Sequence, residues 1–226
     1  MHYSHCEQGT FLSRSGRFLA EVCLHETTCH VHVKNTGRLA ELLVSGAPCM
    51  VACSGNPARK TQYDLISVYH ETLGWVNVDS LAPNRVIREW LSMGNADSFQ
   101  AEVPFHQSRI DFRFTKRNVS YLMEIKGCTL IRDGIGYFPD APSLRGTRHV
   151  RELISAKREG FIPVIGFVIP VNGISEVRPN TENDPAFAQA FSEALHCGVR
   201  IWYFSCDVTA DSLSVREVSS LDGSRP

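Results

Sequence analysis

The sequence predicts an α/β protein with an additional all-β lobe at its amino-terminal end. Three observations carry this. Short apolar alternations broken by Gly, Asn and Pro fill residues 11–83, the pattern of a small barrel. From Asn84 onward, strand-like runs alternate with helical ones, as in a mixed α/β sheet. Inside that second part, residues 109–127 read as two strands around a charged turn, and the candidate chemistry gathers there. The boundary falls near Leu81 to Asn84, giving lobes over 1–83 and 84–226.

The chain has 226 residues, is 43% hydrophobic and 21% charged, and carries a formal charge of −1. This is the composition of a globular protein with a sizeable core. A charge so near zero selects neither a nucleic-acid nor a membrane partner, although it hides local patches. The eight cysteines form no compact zinc signature: Cys49 and Cys53 have no second close pair. Buried free thiols are the preferred reading. MHYSHCEQGT lacks the basic and apolar regions of a secretory signal, and no run reaches the roughly 18 apolar residues of a spanning helix. A reducing cytoplasmic location without membrane contact is the default.

Residues 1–10 read as a polar lead-in. Alternation over Phe18–Leu24 and His30–Val33 predicts the first strands; Ser45-Gly46-Ala47-Pro48 is a turn, and Met50–Cys53, Leu65–His70 and Trp75–Val78 supply further strands. Arg17, Lys34, Arg38, Arg59 and Lys60 could gather on one face and bind phosphate, with Tyr63 and Trp75 stacking on bases. Dispersed solvated charges and core aromatics explain the same letters equally well. His30 and His32 share a strand face without a third ligand, and read as ordinary hydrogen-bonding histidines.

Asn84 can cap a helix whose apolar face is Val86, Ile87, Trp90 and Leu91, with Gly94 as its stop. Glu89 and Glu102 are alternative acidic supports for the later site. Then Ile110, Phe112 and Phe114 alternate with Asp111 and Arg113. Tyr121, Met123 and Ile125 alternate with Leu122, Glu124 and Lys126. Residues two apart on a strand share a face, so Glu124 and Lys126 point the same way, and a hairpin brings Asp111 near them. Carboxylates converging from apolar strands carry a desolvation cost that a divalent cation relieves. Lys126 could orient a water or offset developing charge. An ordinary hairpin with a Glu–Lys pair also satisfies the pattern.

Gly134 and Gly136 lie in a loop that leads to Phe138-Pro139-Asp140-Ala141. A helix runs from near Ser143 to Glu159, stopped by Gly160. Its Arg145, Arg148 and Arg151 recur every three residues, with His149 beside them: a phosphate-contacting stripe or simply a wet face. Phe161–Ile169 is a strand covered on both sides. Asp184 caps a last helix, Pro185 fits its first turn and Gly198 stops it. Val199–Phe204 is another buried strand, and Leu213–Val218 an edge strand before a frayed end. The chain has no internal repeat and no phosphate-binding glycine motif.

Several separated blocks resemble the sugar fermentation stimulation protein (SfsA) family: Gly16–Ala20, Asn35-Thr36-Gly37, Gly46-Ala47-Pro48, Arg109-Ile110-Asp111-Phe112, Glu124-Ile125-Lys126-Gly127, Phe138-Pro139-Asp140-Ala141, Arg145-Gly146 and His149. The resemblance implies an OB-like barrel joined to a restriction-endonuclease-like mixed-sheet domain. It also implies DNA binding and a magnesium-dependent nuclease centre, with manganese as an alternative ion. Asp111, Glu124 and Lys126 fall on its catalytic positions, with Asp111 and Glu124 as metal ligands and Glu102 or Asp140 as a further oxygen donor. Arg17, Arg38, Arg59, Lys60, Arg145, Arg148 and His149 are the expected DNA contacts. This chain departs from the family lettering at Gly127, where Ser is common, at Ser143, where Thr is common, and at Arg38-Leu39 in place of Ser-Met. The rival function is a non-catalytic DNA-binding regulator linked to sugar metabolism; a sugar-converting enzyme has no supporting constellation. The oligomeric state, including a homo-oligomer, is left open.

Overall fold

The structure, a computed structural model, describes residues 1–223. Six strands build the first lobe: β1 (Cys6–Ser15), β2 (Leu19–Leu24), β3 (Thr27–His32), β4 (Pro48–Cys53), β5 (Tyr63–His70) and β6 (Gly74–Asn77). They run in the order β3-β2-β1-β4-β5-β6, and a β3–β5 pairing curls the sheet back on itself. The polar lead-in expected at residues 1–10 is instead built in. Tyr3 is buried, with its hydroxyl donating to Asp79, and β1 begins at Cys6 and pairs with β4. Its polar letters sit on the less buried positions of a strand whose anchor is Phe11.

Helix α1 (Ala82–Trp90) follows, with a proline in its first turn and Val86 and Ile87 buried. Asn84 is not its cap; it lies inside the helix. A wide turn over Leu91–Asn95 leaves the helical path at Gly94, whose φ of 87° takes the left-handed conformation that glycine tolerates.

Next come β7 (Ser98–Phe105), β8 (Ser108–Lys116) and β9 (Val119–Gly127), then the short β10 (Leu130–Arg132) and β11 (Ile135–Phe138). Helix α2 (Leu144–Arg158) begins at Ser143, whose hydroxyl accepts from the Gly146 N–H. Strand β12 (Ile162–Ile169) and the short β13 (Val177–Pro179) precede helix α3 (Pro185–His196), capped by Asp184. Strands β14 (Arg200–Val208) and β15 (Leu213–Ser220) complete the described residues; the frayed end expected beyond them falls mostly on residues 224–226, outside that range.

The larger sheet has the order β15-β14-β12-β9-β8-β7. β9, β12 and β14 are parallel; the other neighbours are antiparallel. The segment read as a loop after Lys126 contains β10 and β11, which join β13 in a separate three-stranded sheet. Strands of three or four residues are too short to show a period.

One face of the larger sheet packs Phe112, Met123, Trp202 and Phe204 against Val86 and Ile87 of α1. The other face packs Leu122, Ile165 and Phe167 with α2 and α3 in a core continuous with Phe11, Val22 and Leu65 of the first lobe. The two lobes are therefore not separately cored. The eight cysteines are all free. Among the described residues no helix is long and apolar enough to cross a membrane.

Candidate active site

β9 is interior, flanked by β8 and β12, and presents Glu124 and Lys126 from its carboxyl-terminal half. The β8–β9 ladder ends at the Phe112–Met123 pair. Two residues further along β9, the Ile125 N–H donates instead to the side chain of Asp111, at Oδ2, at 2.7 Å. Asp111 Oδ1 accepts from the Asn84 side-chain amide at 2.7 Å. The acid is thus fixed by one donor from β9 and one from α1.

Glu124 is 2% exposed. Its Oε1 accepts from Lys126 Nζ at 2.6 Å and is also in contact with His149 Nδ1. Arg145 Nε donates to His149 Nε2 at 3.4 Å, so the ring proton sits on Nδ1 and is given to Glu124. Glu124 Oε2 is buried without a hydrogen-bond partner. Burial opposes the charge on Glu124, but the Lys126 ammonium, followed by His149, outweighs it and holds the carboxyl below its ordinary range. Asp111 goes the other way. Burial first, and the Glu124 charge second, push it up to about 6, against the pull of Lys126, the Ile125 N–H and Asn84. Neighbouring carboxylates with affinities driven apart are a pattern of functional sites.

The remaining expected residues are spread around this cluster. Glu102 lies on β7 between the Ala101–Phe112 and Val103–Ile110 pairs, across from Asp111. It has a φ of 55° within a strand, lines the same cavity as Asp111, and is exposed beside Arg109 at 3.6 Å. Asp140 instead accepts the Leu39 N–H through Oδ2 at 3.0 Å, fastening the first lobe to the loop before α2. Glu89 contacts the Met1 ammonium. Among the described residues no group of three or more His, Cys, Asp or Glu has metal-binding geometry.

His149, expected on a DNA-facing stripe, is 3% exposed and turned inward to Glu124, while Arg145 and Arg148 are exposed. Arg59 is committed to Asp64 at 2.8 Å, and Arg17, Arg38 and Lys60 are exposed. Tyr63 gives its hydroxyl to Glu7, and Trp75 packs edge-on against Tyr69. His30 and His32 face Glu21 and Asp64 respectively. Sequence reasoning missed Asn84 as a partner of Asp111, and Arg85 and Arg88 on the same helix. Their spacing of one and four residues after Asn84 was the available signal.

The fold and this cluster define a two-lobed protein: an OB-type β lobe on a restriction-endonuclease-like α/β lobe, with an acid and a Glu-x-Lys pair on its central hairpin. Residues 12–78 match the family model described as the SfsA N-terminal OB domain, and residues 81–212 the one described as the sugar fermentation stimulation protein RE domain. The chain belongs to the sugar fermentation stimulation protein family. It is 37% identical over 221 residues to a sugar fermentation stimulation protein homolog of Ruminiclostridium cellulolyticum, covering 96% of this chain and 97% of that one. A homolog from Desulfitobacterium hafniense is 38% identical over 216 residues, covering 94% of each. The solved structure of Pyrococcus furiosus SfsA in complex with Ca2+ superposes with a TM-score of 0.84 at 25% identity, covering 96% of both chains.

Proposed function

We propose that this protein binds DNA and hydrolyses its phosphodiester bonds at a centre formed by Asp111, Glu124 and Lys126, with magnesium or manganese as cofactor. The observation that carries the reading is Glu124 Oε2, a carboxylate oxygen buried without a donor. Such an oxygen is costly, and a hard cation satisfies it. Asp111, half-buried and pushed toward protonation partly by the Glu124 charge, is the second ligand that a cation would favour in its ionised form. Two carboxylates suffice for magnesium, which keeps several waters and takes substrate phosphate oxygens as ligands. The Pyrococcus furiosus relative in complex with Ca2+ supports a site for a hard divalent ion in this fold.

When bound, the cation polarises the phosphate and lowers the pKa of a water. The protein's own groups do the rest. Asn84 and the Ile125 N–H keep Asp111 in one orientation. His149 and Lys126 hold Glu124 from one oxygen and leave the other free. The Lys126 ammonium offsets negative charge as it builds on the phosphorus oxygens. Exposed Arg145 and Arg148 of α2 and exposed Arg17 and Arg38 of the first lobe offer cations to the backbone.

The test is a nuclease assay of the purified protein on single- and double-stranded DNA, with magnesium, manganese or EDTA, beside Asp111→Asn. Cleavage that needs metal and falls on the order of 10²-fold or more in the variant is expected. Undiminished cleavage by the variant would assign the activity elsewhere. A second reading, DNA binding without turnover, is favoured by the small number of acidic ligands in the cluster. Salt-sensitive binding with no cleavage under any metal would decide for it.

A further inference from the structure

We propose that the cavity between α1 and the β7–β8 pair seats a phosphate of the DNA backbone, with Arg85 and Arg88 as its cations. The inference rests on the DNA-binding reading above and adds the path by which a strand reaches Asp111. The cavity measures about 310 Å³ and is lined by Lys34, Asn84, Arg85, Arg88, Glu102 and Asp111, among others. It opens on the acid of the candidate centre itself.

Arg85 and Arg88 are three apart on α1, so they share a face, about 4.5 Å apart along the axis. Both are exposed, and among the described residues neither forms an ion pair with a carboxylate. The other charges of the cavity are engaged. Lys34 lies 3.1 Å from Asp64 and 3.4 Å from Asp79, and Glu102 lies 3.6 Å from Arg109. Two guanidinium groups without anions therefore face a cavity whose other cation is already neutralised. Behind them, the Tyr3 ring lies 5.9 Å from the Arg85 guanidinium and steadies it from one side.

A guanidinium fork fits two oxygens of a phosphate, and such pairing is stronger than the same hydrogen bond from a neutral donor. Glu102 and Asp111 on the opposite wall set the charge of the ligand. They repel a free phosphate, which carries between one and two charges near neutrality, more than a diester, which carries one. The cavity therefore suits a phosphate within a strand, one step along from the diester presented to Asp111 and Glu124.

The experiment measures binding, not cleavage. A short fluorescein-labelled duplex and its single strand are titrated by anisotropy with the intact protein, in EDTA, from low to high KCl. R85A/R88A is expected to bind about tenfold more weakly at low salt, with the slope of log affinity against log salt shallower by about one for each phosphate no longer neutralised. R85K/R88K should recover most of the slope. Inorganic phosphate should displace DNA no better than chloride at equal ionic strength; selective displacement would make the site one for free phosphate and overturn the assignment to DNA. An unchanged affinity and slope in R85A/R88A would also overturn it, whatever D111N does to cleavage. An Arg85- and Arg88-dependent slope in a protein that cuts nothing would keep the phosphate seat and reject the nuclease. No binding by the parent at low salt rejects the seat. Should the double variant melt early, R85Q and R88Q singly carry the same comparison.

Discussion

The side-chain amide of Asn84 donates to Asp111 Oδ1 at 2.7 Å, so the first turns of α1 hold the acid of β8 in place. The helix that joins the two lobes is therefore also part of the support of the site. A change in its packing is transmitted to Asp111 through one hydrogen bond. The same helix turns Arg85 and Arg88 to the cavity on which Asp111 opens.

Asp111→Asn should stabilise the protein at neutral pH while removing cleavage. Asp111 is raised from 3.8 to about 6 in the folded chain. Between those values the folded state holds a proton that the unfolded state has released. The stability tied to this group is thus fully present below about pH 4 and lost as pH rises through 6, up to about 3 kcal/mol and less with solvent screening. The Asn variant lacks that loss, and Asn84 can turn its amide to offer its carbonyl to the new NH2 group. Thermal melts from pH 4 to 7 should show a decline in the parent that is flattened in the variant. Parallel profiles would mean that Asp111 titrates normally. Magnesium added at pH 7 should raise the melting temperature of the parent and not of the variant.

Lys126→Ala should cost both activity and stability. It leaves a buried carboxylate without its nearest cation, a change of roughly 3–5 kcal/mol when uncompensated. E124Q/K126M should recover much of the stability, because no unpaired charge remains, but none of the cleavage. Urea unfolding of E124Q, K126M and E124Q/K126M gives the coupling. Additive losses would show that Lys126 and Glu124 do not act as a unit.

Gly37→Ala should loosen the join between the lobes. A Cβ at this position would stand 2.8 Å from Asp140 Oδ2, the oxygen that accepts from Leu39. Displacing Asp140 should cost about 1–2 kcal/mol by loss of that bond. D140A should cost a similar amount, and the double variant little more than either, since both changes break the same hydrogen bond. Full additivity in urea unfolding would separate Gly37 from Asp140.

The parts of the fold legible in the sequence are those set by neighbouring residues. Ser143 and Asp184 cap their helices because a short oxygen-bearing side chain reaches an N–H three residues on. The period of two brings Asp111, Glu124 and Lys126 together because adjacent strands of a hairpin place them so. What depended on packing between distant segments was not legible. His149 sits on the same helix as exposed arginines, and only the docking of α2 on β9 turns it inward. Asn84 has the letters of a cap, yet its partner is 27 residues away. Asp140 has the letters of a ligand, yet it holds a main-chain N–H of the first lobe. Gly127, where the family favours Ser, lies in equally close quarters: a Cβ there would come within 2.8 Å of Pro83 in α1.

The left-handed backbone at Glu102 has one more consequence, for β7 is the outermost strand of its sheet. An open strand edge is a template on which another chain can pair and polymerise. β7 spoils that template twice within three residues: Glu102 breaks the extended path, and Pro104 has no N–H to offer. The bend that carries a carboxylate toward Asp111 therefore also guards the protein against strand-to-strand aggregation. Glu102→Val would flatten β7 and trade a cavity-lining charge for a sticky margin, and the gain in strand propensity would appear as insolubility.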